Sequence, residues 1–144
     1  SRMSPRPRPS GLAEALGISL VEFGDGEASV ECIVSEVHVN QGGTAHGALL
    51  ATMLDMALGA ALISTLRIEE WCATAQLDIS FLEAAHPGRM LTGRGRVARR
   101  GRDIAHLEGE VVDDRGVRTA TAKGVWAVWT KRPSKFPLSA DDES

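Results

Sequence analysis

The sequence predicts an α+β fold in which an antiparallel sheet of five to six strands curves around one long helix. Three observations carry this expectation. From Gly47 to Leu66 the chain is apolar almost without a break, Asp55 being the only charged residue, and a helix apolar nearly all round must be covered on most sides. Before and after it, short runs alternate apolar and polar residues with the period of half-buried strands. Turn residues separate these runs at short intervals, so that neighbours are expected to pair antiparallel.

The elements follow in order. Leu16 to Phe23 and Glu27 to Val34 read as a hairpin about Asp25-Gly26, the second strand turning Ala28, Val30, Cys32 and Val34 inward. The helix opens at His46-Gly47, with Thr44 as the expected N-cap. In the next run Ala73, Ala75, Leu77, Ile79 and Phe81 alternate with Thr74, Gln76, Asp78 and Ser80. Pro87-Gly88 turns the chain into Leu91 to Ala98, where small or apolar residues interleave with Thr92, Arg94 and Arg96, and Arg99-Arg100-Gly101-Arg102 turns it again. Ile104 to Val112 forms a further strand, and Asp113-Asp114-Arg115-Gly116 leads into Arg118 to Thr130, rich in Thr, Val and Trp. Residues 1–11, where Pro and Arg alternate, read as a loose tail. One domain spans 12–131, and 132–144 form a second loose tail beginning near Pro133.

Composition excludes several classes. At 144 residues and 43% hydrophobic content the chain is sized for one domain with a real core. Its net charge of -3 includes no long basic stripe, so no nucleic-acid partner is expected. Cys32 and Cys72 lack metal-ligand spacing, and neither a metal nor another cofactor is called for. A carboxylate at the centre of a lipid-spanning helix costs roughly 2.5–3.5 kcal/mol, which argues against a membrane role for Gly47 to Leu66. With no secretory signal visible, a cytoplasmic location is expected.

The candidate chemistry lies where a glycine-rich loop, His38 to Ala48, enters the helix. The first N–H groups of a helix have no intrahelical partner and sit at the positive end of its dipole, so they can donate to a developing oxyanion. Gly47 leaves the approach open. Such loops also occur at helix starts with no catalytic role, so a second feature is needed. Asp55 supplies it, an acid among Leu49, Leu50, Met53, Leu54, Ala57 and Leu58, where an unpaired charge would be costly to bury. Eight residues at about 1.5 Å each put Gly47 and Asp55 roughly 12 Å apart and on different helix faces. A site using both therefore requires the opposing helix of a second copy, and the chain is expected to be a homo-oligomer, a dimer or a dimer of dimers.

The pattern Asn40-x5-His46-Gly47-x7-Asp55, followed by Thr74 to Phe81, resembles the PaaI-like, phenylacetate-pathway branch of the hotdog-fold acyl-CoA thioesterases, from about Leu12 to Lys131. The resemblance implies an antiparallel sheet wrapped around a helix, an acyl-CoA substrate bound between protomers, and no metal. It implies that Asp55 activates water or attacks the thioester carbonyl, and that the Gly47 amide polarises the carbonyl oxygen. Asn40 would orient the water or the thioester, and Thr74 would help position the water. His46 would support the loop or touch the substrate. Ala48 stands where the family has a second glycine, and its methyl would narrow the mouth of the site. Arg99, Arg100 and Arg102 could receive the phosphates of coenzyme A through forked, charge-assisted hydrogen bonds, although such a run also serves as a solvated turn. His38, His86 and His106 read as ordinary polar residues.

Two other functions are weighed. An enoyl-CoA hydratase of this fold pairs its acid with a His five residues later, where this chain has Ala60. A non-catalytic acyl-CoA-binding module would be expected to lose the acid, and Asp55 is retained.

Overall fold

The computed structural model describes residues 2–8 and 11–132; Pro133 and the rest of the expected C-terminal tail lie outside the described residues. The elements are α1 (Gly11–Leu16), β1 (Ser19–Gly24), β2 (Glu27–Ile33), a 3-10 turn (Glu36–His38), α2 (Gly47–Ile63), β3 (Trp71–Phe81), β4 (Met90–Arg100), β5 (Ile104–Asp113) and β6 (Arg118–Trp129). The strands form one antiparallel sheet in the order β1-β2-β4-β5-β6-β3, with β1 and β3 at its edges.

The chain begins differently from expectation. Leu16 ends α1 rather than opening a strand, because Gly17 at φ 72° closes the helix. Ile18 N–H donates to Ala13 O at 2.9 Å and Gly17 N–H to Glu14 O at 3.1 Å, the Schellman arrangement. The run Leu12-Ala13-Glu14-Ala15-Leu16 followed by glycine was the available signal. Residues 2–8 lie along the molecule: Met3 bridges Arg67, and Ser4 is buried with its N–H donating to Leu66 O at 2.8 Å. The β1–β2 turn takes positive φ at both Asp25 and Gly26, as a two-residue type I′ hairpin requires.

The helix α2 lies against one face of the sheet. Met53, Leu54, Leu58 and Leu62 are fully buried there, each worth about 1.5–3 kcal/mol in apolar burial. The inward residues beneath its middle are unusually small. Ala28, Gly95, Gly109 and Ala122 pair in register across four strands, and the larger Ile79 of β3 ends the row. A Cβ on Gly95 would stand 2.6 Å from the Ala57 backbone, and one on Gly109 2.6 Å from Leu58 Cδ1. The helix thus rests on backbone at this point. One residue further along, the opposite face carries Glu27, Arg96, Glu108, Lys123 and Asp78 in register, an alternating row of charge that includes the Arg96–Glu108 ion pair.

The helix is covered on one side only. Its other side presents Ala48, Thr52, Asp55, Gly59 and Ile63, exposed or half-buried and one turn apart. At its N-terminus the cap is His46, without a side-chain hydrogen bond, and not Thr44. The backbone places Thr44 in the return leg of the preceding loop, where its carbonyl accepts Asn40 N–H.

Candidate active site

Asp55 sits on the uncovered stripe of α2 and is exposed within the chain. The expected burial of this acid is therefore corrected: position 55 falls on the side turned away from the sheet. It is nevertheless held, because Thr74 Oγ1 donates to Asp55 Oδ1 at 2.7 Å.

This contact depends on an irregularity in β3. Strict alternation would place Thr74 on the same face as Gln76 and Asp78, away from the helix. The pairing of β3 with β6 skips Ala75, so that Thr74 lies opposite Trp126 while Gln76 lies opposite Val125. A bulge of this kind changes the phase of a strand. Cys72 and Thr74 before it, and Leu77 and Ile79 after it, consequently all face α2, opposite the inward Val128, Trp126, Gly124 and Ala122.

At the other end of the site, the start of α2 borders a cavity of about 380 Å³ lined by Ala45, Gly47, Leu50, Phe81, Leu82, Glu83, Ala84 and Ala85. The absence of a side-chain cap leaves the first amides of α2 available to a ligand. Gly47 has a second reason to be glycine, since a Cβ there would stand 3.1 Å from Phe81 Cε1. A larger hollow of about 770 Å³ lies on the opposite face of the sheet, walled by Arg96, Glu108 and Lys123 among others, and holds neither Asp55 nor Gly47.

Asn40 closes the tip of the entering loop. Its Oδ1 accepts Gly42 N–H at 2.8 Å and Thr44 N–H at 3.4 Å, an Asx-type turn. His46 and Ala48 are exposed at the helix start, as a substrate contact would require. His38, expected to be an ordinary polar residue, is buried, and both its ring nitrogens are engaged.

The arginine run divides. A bulge at Ala98 turns Arg100 inward, opposite the buried Ala105, where it pairs with Glu70 at 2.9 Å. Its charge is met inside the protein, contrary to the expectation that it stands open for a phosphate. Arg99 and Arg102 remain exposed, Arg102 beside Asp103 at 3.4 Å. His86 and His106 are exposed.

Cys72 is buried two residues before Thr74. Burial pushes its thiol up to about 11, against the lowering effect of the Arg100 and Arg132 charges. Burial raises the Cys32 thiol as well. Neither has the character of a nucleophile. Among the described residues no cluster of three or more His, Cys, Asp or Glu is arranged to hold a metal, and no helix is long and apolar enough to cross a membrane.

A six-stranded antiparallel sheet folded over one long helix, with an acid on the helix and an open helix N-terminus a few turns away, defines the hotdog thioesterase class. The chain belongs to the Thioesterase superfamily, whose family model matches residues 42–120. A Deinococcus radiodurans protein named "putative esterase" is 32% identical over 108 residues, covering 75% of this chain and 71% of that protein. The E. coli PaaI protein of the phenylacetic acid degradation operon shares the fold with a TM-score of 0.79 at 24% identity, over 85% of this chain and 86% of its own. A Streptococcus mutans protein solved bound to acetyl CoA is 28% identical with a TM-score of 0.74, over 81% and 91%. The chain is a PaaI-like hotdog thioesterase, an enzyme that hydrolyses thioesters.

Proposed function

We infer that the protein hydrolyses acyl-CoA thioesters between two copies of the chain, with Asp55 as base or nucleophile and the Gly47 amide as oxyanion donor. The observation that carries this reading is the 2.7 Å hydrogen bond from Thr74 to Asp55. It occupies one carboxylate oxygen and fixes the rotamer, leaving the second oxygen to take a proton from water or to attack a carbonyl. Asn40, whose Oδ1 is committed to its own turn, acts on substrate through its amide N–H₂.

The helix geometry supports a second copy in the site. Asp55 and Gly47 stand eight residues apart on one helix, too far to meet a single thioester within one chain. The edge strand β3 runs from Thr74, beside Asp55, to Phe81, beside Gly47. Antiparallel pairing of two such edges, about an axis at Asp78 and with the bulged Ala75 out of register, would lay Thr74 of one copy against Phe81 of the other. Asp55 of one chain would then face Gly47 of its partner, and the uncovered stripe of α2 would be shielded. Arg99 and Arg102, at the outer end of the sheet, are the candidates for the CoA phosphates.

The test is release of CoA thiol from a panel of aryl and aliphatic acyl-CoA esters by the unmodified protein and by Asp55→Ala and Asp55→Asn. Turnover that falls about 10²–10⁴-fold in both variants supports the reading. Binding of acyl-CoA without turnover in the unmodified protein would assign a binding role instead.

A further inference from the structure

We propose that His38 is the positioning residue for the oxyanion end of the site, a neutral imidazole that clamps the base of the loop leading into α2. The ring is 4% exposed and bonded on both sides. Ser35 N–H donates to Nδ1 at 3.0 Å, so Nδ1 carries no proton. The proton therefore sits on Nε2, which donates to Leu16 O at 2.6 Å. This tautomer follows from the two partners, since a backbone N–H can only donate and a carbonyl can only accept. The same carbonyl receives a weaker contact from the Cys32 thiol at 3.5 Å.

The clamp leads directly to the helix. His38 O accepts His46 N–H at 2.8 Å, closing the base of the loop whose tip Asn40 closes. His46 is the N-cap of α2, and Gly47 is the next residue. His38 thus ties three separate places: its ring joins the end of α1 to the start of the 3-10 turn, and its backbone carbonyl, held in place by that ring, anchors the helix start. An oxyanion donor displaced by even a fraction of an ångström loses stabilisation of the transition state while ground-state binding changes little. The effect of loosening His38 should accordingly appear in kcat and not in KM.

The inference rests on Gly47 being the oxyanion donor, and the experiment separates the two ideas. In the full-length protein, His38→Gln keeps an amide able to reach the Leu16 carbonyl, whereas His38→Asn is too short. Turnover is normalised to the folded fraction from circular dichroism, and exchange of the His46, Gly47 and Ala48 amides is followed by NMR. The Asn variant is expected to exchange at these amides about tenfold faster. Its kcat should fall about tenfold with KM within about twofold, and the Gln variant should stay within about threefold of the parent. Unchanged exchange and kcat in the Asn variant, or a raised KM at constant kcat, would overturn the proposal. If the variants do not fold, the ring spectrum of the parent decides, since a ring protonated on Nδ1 or exchanging freely with water refutes the clamp. A parent that hydrolyses no thioester sinks the role of Gly47 and leaves amide exchange to judge the clamp alone.

Discussion

Asp55 was conspicuous in the sequence because an acid stands out in an apolar helix, and Gly47 because it opens that helix. The partner of Asp55 was far less visible, since a threonine in a strand looks ordinary and the alternation of its neighbours assigned it to the wrong face. If the Thr74 hydroxyl holds the carboxylate, Thr74→Val should lower kcat about 10- to 100-fold, the loss of one hydrogen bond to a charged group. Thr74→Ser should recover most of it, both read from CoA thiol release. Asp113 illustrates a purely structural acid. Burial pushes its carboxyl up, but hydrogen bonds from the Arg115 guanidinium and from the Val117 and Arg115 N–H groups, with the Arg115 charge, outweigh this and hold it at about 2, below the ordinary 3.8. A depressed pKa contributes stability that is fully present above the unfolded value and lost as pH falls through the folded one. Asp113→Asn should therefore unfold at lower temperature than the parent at pH 6. The gap in Tm should close between about pH 4 and pH 2; a gap constant with pH would contradict the assignment.

At the scale of elements, hairpin turns, the long helix and the inward face of β2 were legible because each rests on local chemistry, a pair of positive-φ residues or a simple period. Besides α1, where a strand was expected to open at Leu16, two places resisted, Ala75 in β3 and Ala98 in β4. At each a bulge shifts the strand by one residue, and the shift is set by pairing with a distant strand rather than by local sequence. These two bulges decide which way Thr74 and Arg100 point, one toward Asp55 and the other into an ion pair. Deleting Ala75 removes only the unpaired residue and sets Thr74 beside Gln76 in strict alternation, still opposite Trp126 and facing α2, so turnover read from CoA thiol release should survive; its abolition would show that the bulge does more than set the phase of the strand. The seating of α2 on the sheet was also hidden, since glycines in a strand carry no pattern of their own. Gly95→Ala, which drives a methyl to within 2.6 Å of the Ala57 backbone, should destabilise the fold by about 1–3 kcal/mol in urea titration.

For the whole molecule, the separation of Asp55 from Gly47 turns the question of activity into one of assembly. Mixing equal amounts of inactive Asp55→Ala and inactive Gly47→Val protein, unfolded together and refolded, should give hybrid pairs in half the population. Each hybrid would carry one intact site of two, so that activity returns to about a quarter of the parent. No recovery, with hybrids demonstrated by mass, would place both residues in one chain's site or neither. The bare contact between α2 and Gly95 bears on how such an enzyme can diverge. Where a helix stands on side chains, every change of core volume moves it; here its height is set by peptide atoms that all sequences possess. Residues lining the cavity by Phe81 and Leu82 can then be exchanged for others while the distance from acid to hydroxyl stays fixed. Selectivity becomes a variable and chemistry a constant within one scaffold.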